Sequence, residues 1–187
     1  RSTYLLVLTD EQIDIYQDGT KIETLSAPWT EAQLSQINWT QSADTLLICH
    51  PDVEPQQLTR SGAGVWSLSA WSFFEDDNGV NHQPFFKFAD SEVTLTPNGT
   101  IGAITLTASA NVFEADHSGT FLTIGDKQVE ITSYASPTVV DANVIEDLDS
   151  TNATSNWKEQ AFSALRGWPV SVCFHQDRLV IGGSRDL

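Results

Sequence analysis

The sequence predicts an all-β protein. Three observations carry that expectation. Short apolar runs alternate with polar residues at a period of two, pairs rich in Gly, Asp, Asn and Pro punctuate them, and one stretch alone has helical spacing. The expected architecture is a discontinuous propeller- or meander-like β-domain with one short helix, built from residues 1–87 and 157–187, and a small β-barrel inserted at 88–156.

The opening reads as a three-strand meander. Tyr4–Leu8 is apolar, Gln12–Tyr16 places Ile13 and Ile15 on one face, and Asp18-Gly19 is a favoured two-residue hairpin turn before Lys21–Leu25. "PWTEAQLSQI" is the predicted helix, about two turns long. There Thr30 caps, Gln33 completes a capping box, and Leu34 and Ile37 face inward. Strands resume at Thr45–Cys49 and Gln57–Arg60, with Pro51 and Pro55 marking the limits of the loop between them, because proline cannot donate to a ladder. Val65–Phe73 alternates again, and "EDDNGVNHQP" is a polar loop.

From about Phe88 the style changes to short strands rich in Thr, Ser, Ala and Val. These are Val93–Thr96, Ile101–Ser109, Thr120–Ile124, Gln128–Tyr134 and Thr138–Val144, with turns between them. Five such strands in so short a span predict the small barrel, and "EDLDSTNATSN" is its exit linker. Val170–His175 and Arg178–Gly182 then return to the style of the first segment. "LLICHPD" and "SVCFHQD" echo each other as apolar strands ending in His-x-Asp. The chain begins inside a strand-like run and closes on "RLVIGGSRDL", which reads as half of a hairpin. It is therefore expected to be a fragment of a longer protein.

Composition narrows the function classes. The 187 residues allow one large or two small domains. Twenty-five acids against nine bases give a net charge of −16, which repels phosphate backbones and anionic membranes and equally serves solubility. Two cysteines do not make a disulfide framework, and both lie in apolar runs where Cys behaves as a small hydrophobe.

Several constellations raise chemistry and fall short of it. Cys49 and His50 are adjacent, so a regular strand points them to opposite faces, and nothing local activates Cys173 beside His175. Their spacings do not match the patterns that wrap a tetrahedral zinc ion. Glu75–Gly79 offers hard oxygen ligands for calcium but lacks the register of an EF-hand, so a solvated loop is expected. No nucleophile elbow, Walker loop, dinucleotide fingerprint or zincin motif is present. The six tryptophans (Trp29, Trp39, Trp66, Trp71, Trp157 and Trp168) could line a sugar platform, although such residues are more often core. No catalytic, cofactor-binding or metal-binding residue is therefore assigned.

Four stretches carry a resemblance: "YLLVLTDEQIDIYQDG", "LSQINWTQSADTLLICHPDVEPQQLTR", "FEADHSGTFLTIG" and "GWPVSVCFHQDRLVIGGSRDL". Together they resemble the tail nozzle or tail tubular proteins of short-tailed phages and prophages. The match is strongest at Gln41–Arg60 and Phe174–Ser184. The middle segment also resembles the small β-barrel called the first catalytic cysteine half-domain in ubiquitin-activating enzymes, a scaffold from which no catalytic residue carries over. The tail resemblance implies a non-enzymatic virion structural protein, made in the bacterial host cytoplasm. It would assemble as a homo-oligomeric ring, often of six copies, with other tail or head–tail connector proteins. DNA would only pass through its channel, with no membrane partner and no cofactor, and an acidic channel wall would let DNA slide. The alternative is a tail-associated carbohydrate-binding or depolymerising β-protein.

Under this resemblance the opening motif is structural. Asp44 is expected to accept backbone N–H groups at a turn, and His50 and Arg60 to bond across the hairpin with Asp52 near Pro51. His175, Asp177 and Arg178 repeat the pattern at the second hairpin.

Overall fold

The computed structural model describes residues 3–62 and 64–186. Among these the strands run β1 (Tyr4–Thr9), β2 (Gln12–Gln17), β3 (Thr20–Ser26), β4 (Asn38–Ser42), β5 (Thr45–His50), β6 (Val53–Arg60), β7 (Trp66–Ala70) and β8 (Phe85–Phe86). They continue as β9 (Leu95–Pro97), β10 (Ala103–Ala108), β11 (Phe121–Ile124), β12 (Lys127–Ser136), β13 (Val139–Val144), β14 (Trp157–Gln160), β15 (Ser171–His175) and β16 (Arg178–Gly182). The protein is all-β, as its alternation predicts.

The chain divides into two compact units, 1–72 with 166–187 and 73–165. Residues 73–87 and 157–165, expected in the discontinuous domain, belong to the second unit. The reason is pairing: Glu159 and Gln160 of β14 pair with Phe86 and Phe85 of β8, and β14 also pairs with β11.

In the first unit β1, β2 and β3 form the expected antiparallel meander. Asp18 and Gly19 turn its second hairpin with φ of 50° and 80°, the left-handed conformation that Gly and Asp tolerate best. The predicted helix is instead a 3-10 helix at Glu31–Gln36. It buries no residue and is held by i→i+3 bonds such as Gln33 N–H to the Thr30 carbonyl, since six residues cannot offset the cost of α-helix nucleation. The capping box does form: the Thr30 N–H donates to Gln33 Oε1 at 3.0 Å.

Strands β4 to β7 make a second antiparallel meander. Ile48 and Leu58 pack with Ile13, Ile15 and Trp29 of the first sheet's side. Leu47 and Cys49, on the other face of β5, pack with Val172 of the β15–β16 hairpin. Burial on both faces explains the unbroken apolar run of β5. Pro55 does not bound the loop as expected; it lies inside β6. The register slips there, from Ile48 opposite Gln56 to His50 opposite Val53, so Pro55 sits at a bulge where no ladder N–H is required.

The second unit is not a barrel. Its seven strands form one open antiparallel sheet in the order β8-β14-β11-β12-β13-β10-β9. The terminal strands β8 and β9 have two and three residues and do not pair with each other. The sheet curls far enough for one bridge, Leu95 to Thr154, in place of closure. Side chains seal that seam. Trp157, 1% exposed, donates its indole N–H to the Val93 carbonyl at 2.8 Å. Lys87 lies over the Trp157 ring and donates to the carbonyls of Val93 and Ser155. Inside the curl pack Leu95, Leu106, Leu122, Val129, Ile131 and Val140.

Candidate functional site

The motif at Gln41–Arg60 folds into the β4–β5–β6 meander, and the structure separates its polar residues into two ends. Arg60 closes β6 beside the β4–β5 turn. Its Nε and Nη2 both donate to Asp44 Oδ1, at 3.2 and 2.8 Å, and its Nη1 donates to the Tyr4 hydroxyl at 3.0 Å. The guanidinium also stacks 5.0 Å from the centroid of the Tyr4 ring, and Trp66 meets that ring edge-on. The Asp44 carboxylate holds the Arg60 pKa above its ordinary value. The backbone adds a bond from the Arg60 N–H to the Asp44 carbonyl.

His50 stands at the opposite end of β5, fully buried, so the expected His50–Arg60 bond does not form. Its Nδ1 accepts the Asp52 N–H at 3.0 Å, closing the two-residue turn Pro51-Asp52. Burial pushes its pKa below the usual histidine value, against the pull of Asp52. Asp44 likewise differs from expectation: its carboxylate binds a guanidinium across the sheet, not turn N–H groups. Asp52 pairs with Arg185 at 3.3 Å, and the Pro51 carbonyl accepts the Trp168 N–H.

The echoed hairpin keeps the geometry and loses the burial. His175 pairs with Arg178 across Gln176-Asp177, whose φ values of 50° and 60° make a second tight turn. His175, Asp177 and Arg178 are all exposed, and among the described residues their side chains form no ion pair with one another.

Burial raises Cys49 to about 11, and Cys173 lies on the exposed face of its hairpin because Val172 takes the core face. Among the described residues no three His, Cys, Asp or Glu side chains gather for a metal. The loop at Glu75–Gly79 uses its own carboxylate: Asp76 Oδ1 accepts the N–H groups of Asn78 and Val80, which lower its pKa.

One polar constellation escaped sequence reasoning. His117, in a short 3-10 turn (Ala115–His117), and Glu159 of β14 meet at 3.2 Å with side chains 1% and 4% exposed. The Glu114 N–H donates to His117 Nδ1, so the ring proton sits on Nε2 and points at Glu159. The two residues are 42 positions apart, and nothing local marks the pair.

Trp29 and Trp157 are core, while Trp39 is 60% exposed. Beside it a cavity of about 590 Å³ is lined by Tyr4, Gln41, Asp44, Leu58, Arg60 and Trp66. A smaller apolar groove of about 300 Å³ runs between β1 and β4. No family model matches the chain, and no curated protein matches it.

Proposed function

We propose that the protein is a non-enzymatic phage or prophage virion component, part of a tail tube or nozzle ring around the DNA exit channel. The observation that carries this reading is how the motif residues are used. Asp44 and Arg60 clamp one end of a meander to Tyr4, and His50 with Asp52 closes the other. These bonds stiffen a scaffold. They leave no base poised on a nucleophile. A net charge of −16 supports a wall that passes DNA without binding it.

The test is to induce the source strain, purify particles on a density gradient and search for peptides of this chain. Peptides at fixed stoichiometry with capsid and portal proteins are expected. Particles that assemble without it would sink the reading.

A second reading, carbohydrate binding, is favoured by one observation: exposed Trp39 stands next to the cavity lined by Tyr4, Asp44, Arg60 and Trp66. Host polysaccharide should then shift Trp39 fluorescence, and the shift should vanish in Trp39→Ala.

A further inference from the structure

Histidine changes charge near neutral pH, and a buried imidazole that accepts a backbone N–H cannot take up a second proton without losing that bond. His50 is such a ring. It is 0% exposed, and its Nδ1 accepts the Asp52 N–H at 3.0 Å. The one ring proton therefore sits on Nε2, which is buried and has no hydrogen-bond partner among the described residues. An imidazolium would carry its second proton on Nδ1, aimed at the Asp52 N–H. It would be a buried cation with no acceptor on either nitrogen.

The turn that His50 closes holds more than itself. The Pro51 carbonyl accepts the Trp168 N–H at 2.8 Å, and Asp52 Oδ1 pairs with Arg185 at 3.3 Å. Gly167 lies so close that a Cβ there would stand 3.1 Å from the Pro51 carbonyl oxygen. With residue 166 the chain re-enters the first unit after the second. The turn thus pins the return segment.

We propose that the Pro51-Asp52 turn is a proton-operated latch. Protonation of His50 opens it and releases the segment at Gly167-Trp168, while the strands behind it stay paired. The latch goes beyond the virion reading and does not rest on it.

This end of the hairpin can open by itself. The β5–β6 register slips between Ile48 and His50, and beyond the slip only His50 and Val53 pair. Pro51 has no N–H to give. The Asp52–Arg185 pair is nearly half exposed on both sides, and such pairs hold weakly. A strand end with so few bonds is a low-stability unit within a folded domain.

The charges around the turn set the direction. Asp52 stands on it, Glu54 follows on β6, Arg166 precedes Gly167, and Asp186 pairs with Arg185. Burial disfavours the charged ring more strongly than Asp52 favours it, and burial also keeps the neighbouring Cys49 thiol neutral. The closed turn therefore rejects a proton that the open turn accepts. Its stabilisation is complete above the ordinary histidine value, about 6.5, and is lost as pH falls toward the lower value of the buried ring.

The test is backbone amide exchange on the full chain at pH 7 and pH 5, with rates corrected for their intrinsic pH dependence. The opening constants of the Asp52 and Trp168 amides should rise together, by up to about 25-fold if the open ring titrates at the ordinary value. The amides of Ile13 and Ile15, buried in the same unit, should not change. In His50→Gln, which accepts the same N–H and does not titrate, the rise should vanish. Ring nitrogen shifts of His50 in the wild type, followed over the same range, give the protonation directly and need no variant. Opening constants that change less than about twofold overturn the latch. An equal rise at Ile13 and Ile15 overturns it too, because the whole unit would then be unfolding. So does a rise that persists in His50→Gln, or ring shifts that do not move with the two amides.

Discussion

Arg60 and Asp44 meet through a single carboxylate oxygen, with two guanidinium nitrogens on Asp44 Oδ1 and the third on the Tyr4 hydroxyl. Arg60 thereby ties the β4–β5 turn, the end of β6 and the first strand of the other sheet. Arg60→Ala should lower the urea midpoint more than Asp44→Asn, because it loses both partners and the stacking on Tyr4. Tyr4→Phe, which removes only the hydroxyl, should cost about 1 kcal/mol. Equal effects from Asp44→Asn and Arg60→Ala would mean that the Tyr4 arm contributes nothing.

Gly167 has φ of +86°, and a Cβ there would lie 2.6 Å from Arg185 Cβ, 2.9 Å from its backbone nitrogen and 3.1 Å from the Pro51 carbonyl. Both conformation and space forbid a side chain. Gly167→Ala should destabilise by roughly 2–4 kcal/mol, read from chemical denaturation. A change under about 0.5 kcal/mol, the size of an ordinary surface substitution, would show that this corner yields freely.

His117 supplies the Nε2 donor to a carboxylate buried in the second unit. His117→Ala should cost about 1–3 kcal/mol, since it removes a hydrogen-bond partner from a buried carboxyl group. His117→Gln, which keeps a donor, should recover part of the loss. Equilibrium unfolding of both variants checks this, and equal losses would count against the hydrogen bond as the cause.

The lowered pKa of His50 links stability to pH. The unfolded chain takes up its proton at a higher pH than the folded one. The stabilisation from keeping His50 neutral is therefore present above the unfolded value, about 6.5, and is lost as pH falls through the lower folded value. Unfolding free energies measured between pH 7 and 5 should decline in the wild type and decline less in His50→Gln. Parallel curves would refute a role for His50 in that window. Asp14 and Asp76, whose pKa values are lowered by hydrogen bonds from Thr24 and from backbone N–H groups, add their losses at more acid pH.

Much of the strand plan was legible from local chemistry. Alternation at Gln12–Gln17, the Asp18-Gly19 turn, and the His-x-Asp endings of β5 and β15 all specify themselves within a few residues. The boundaries of the second unit were not legible, because β14 lies just past the stretch that reads as linker, where no strand was expected, and owes its existence to β11 and β8. The helix proved to be 3-10, because capping chemistry at Thr30 and Gln33 suits a short 3-10 helix equally well.

The sequence by itself determined an acidic all-β chain whose motif residues stand at strand ends. Only the tertiary structure decided which of them bond. It set His50 against the Asp52 N–H and Arg60 against Asp44 and Tyr4, and it joined His117 to Glu159 across 42 residues. The physical reason is range. Period-two patterning and turn chemistry act between neighbours, whereas partners for buried or charged side chains come from whichever strands the packing brings alongside.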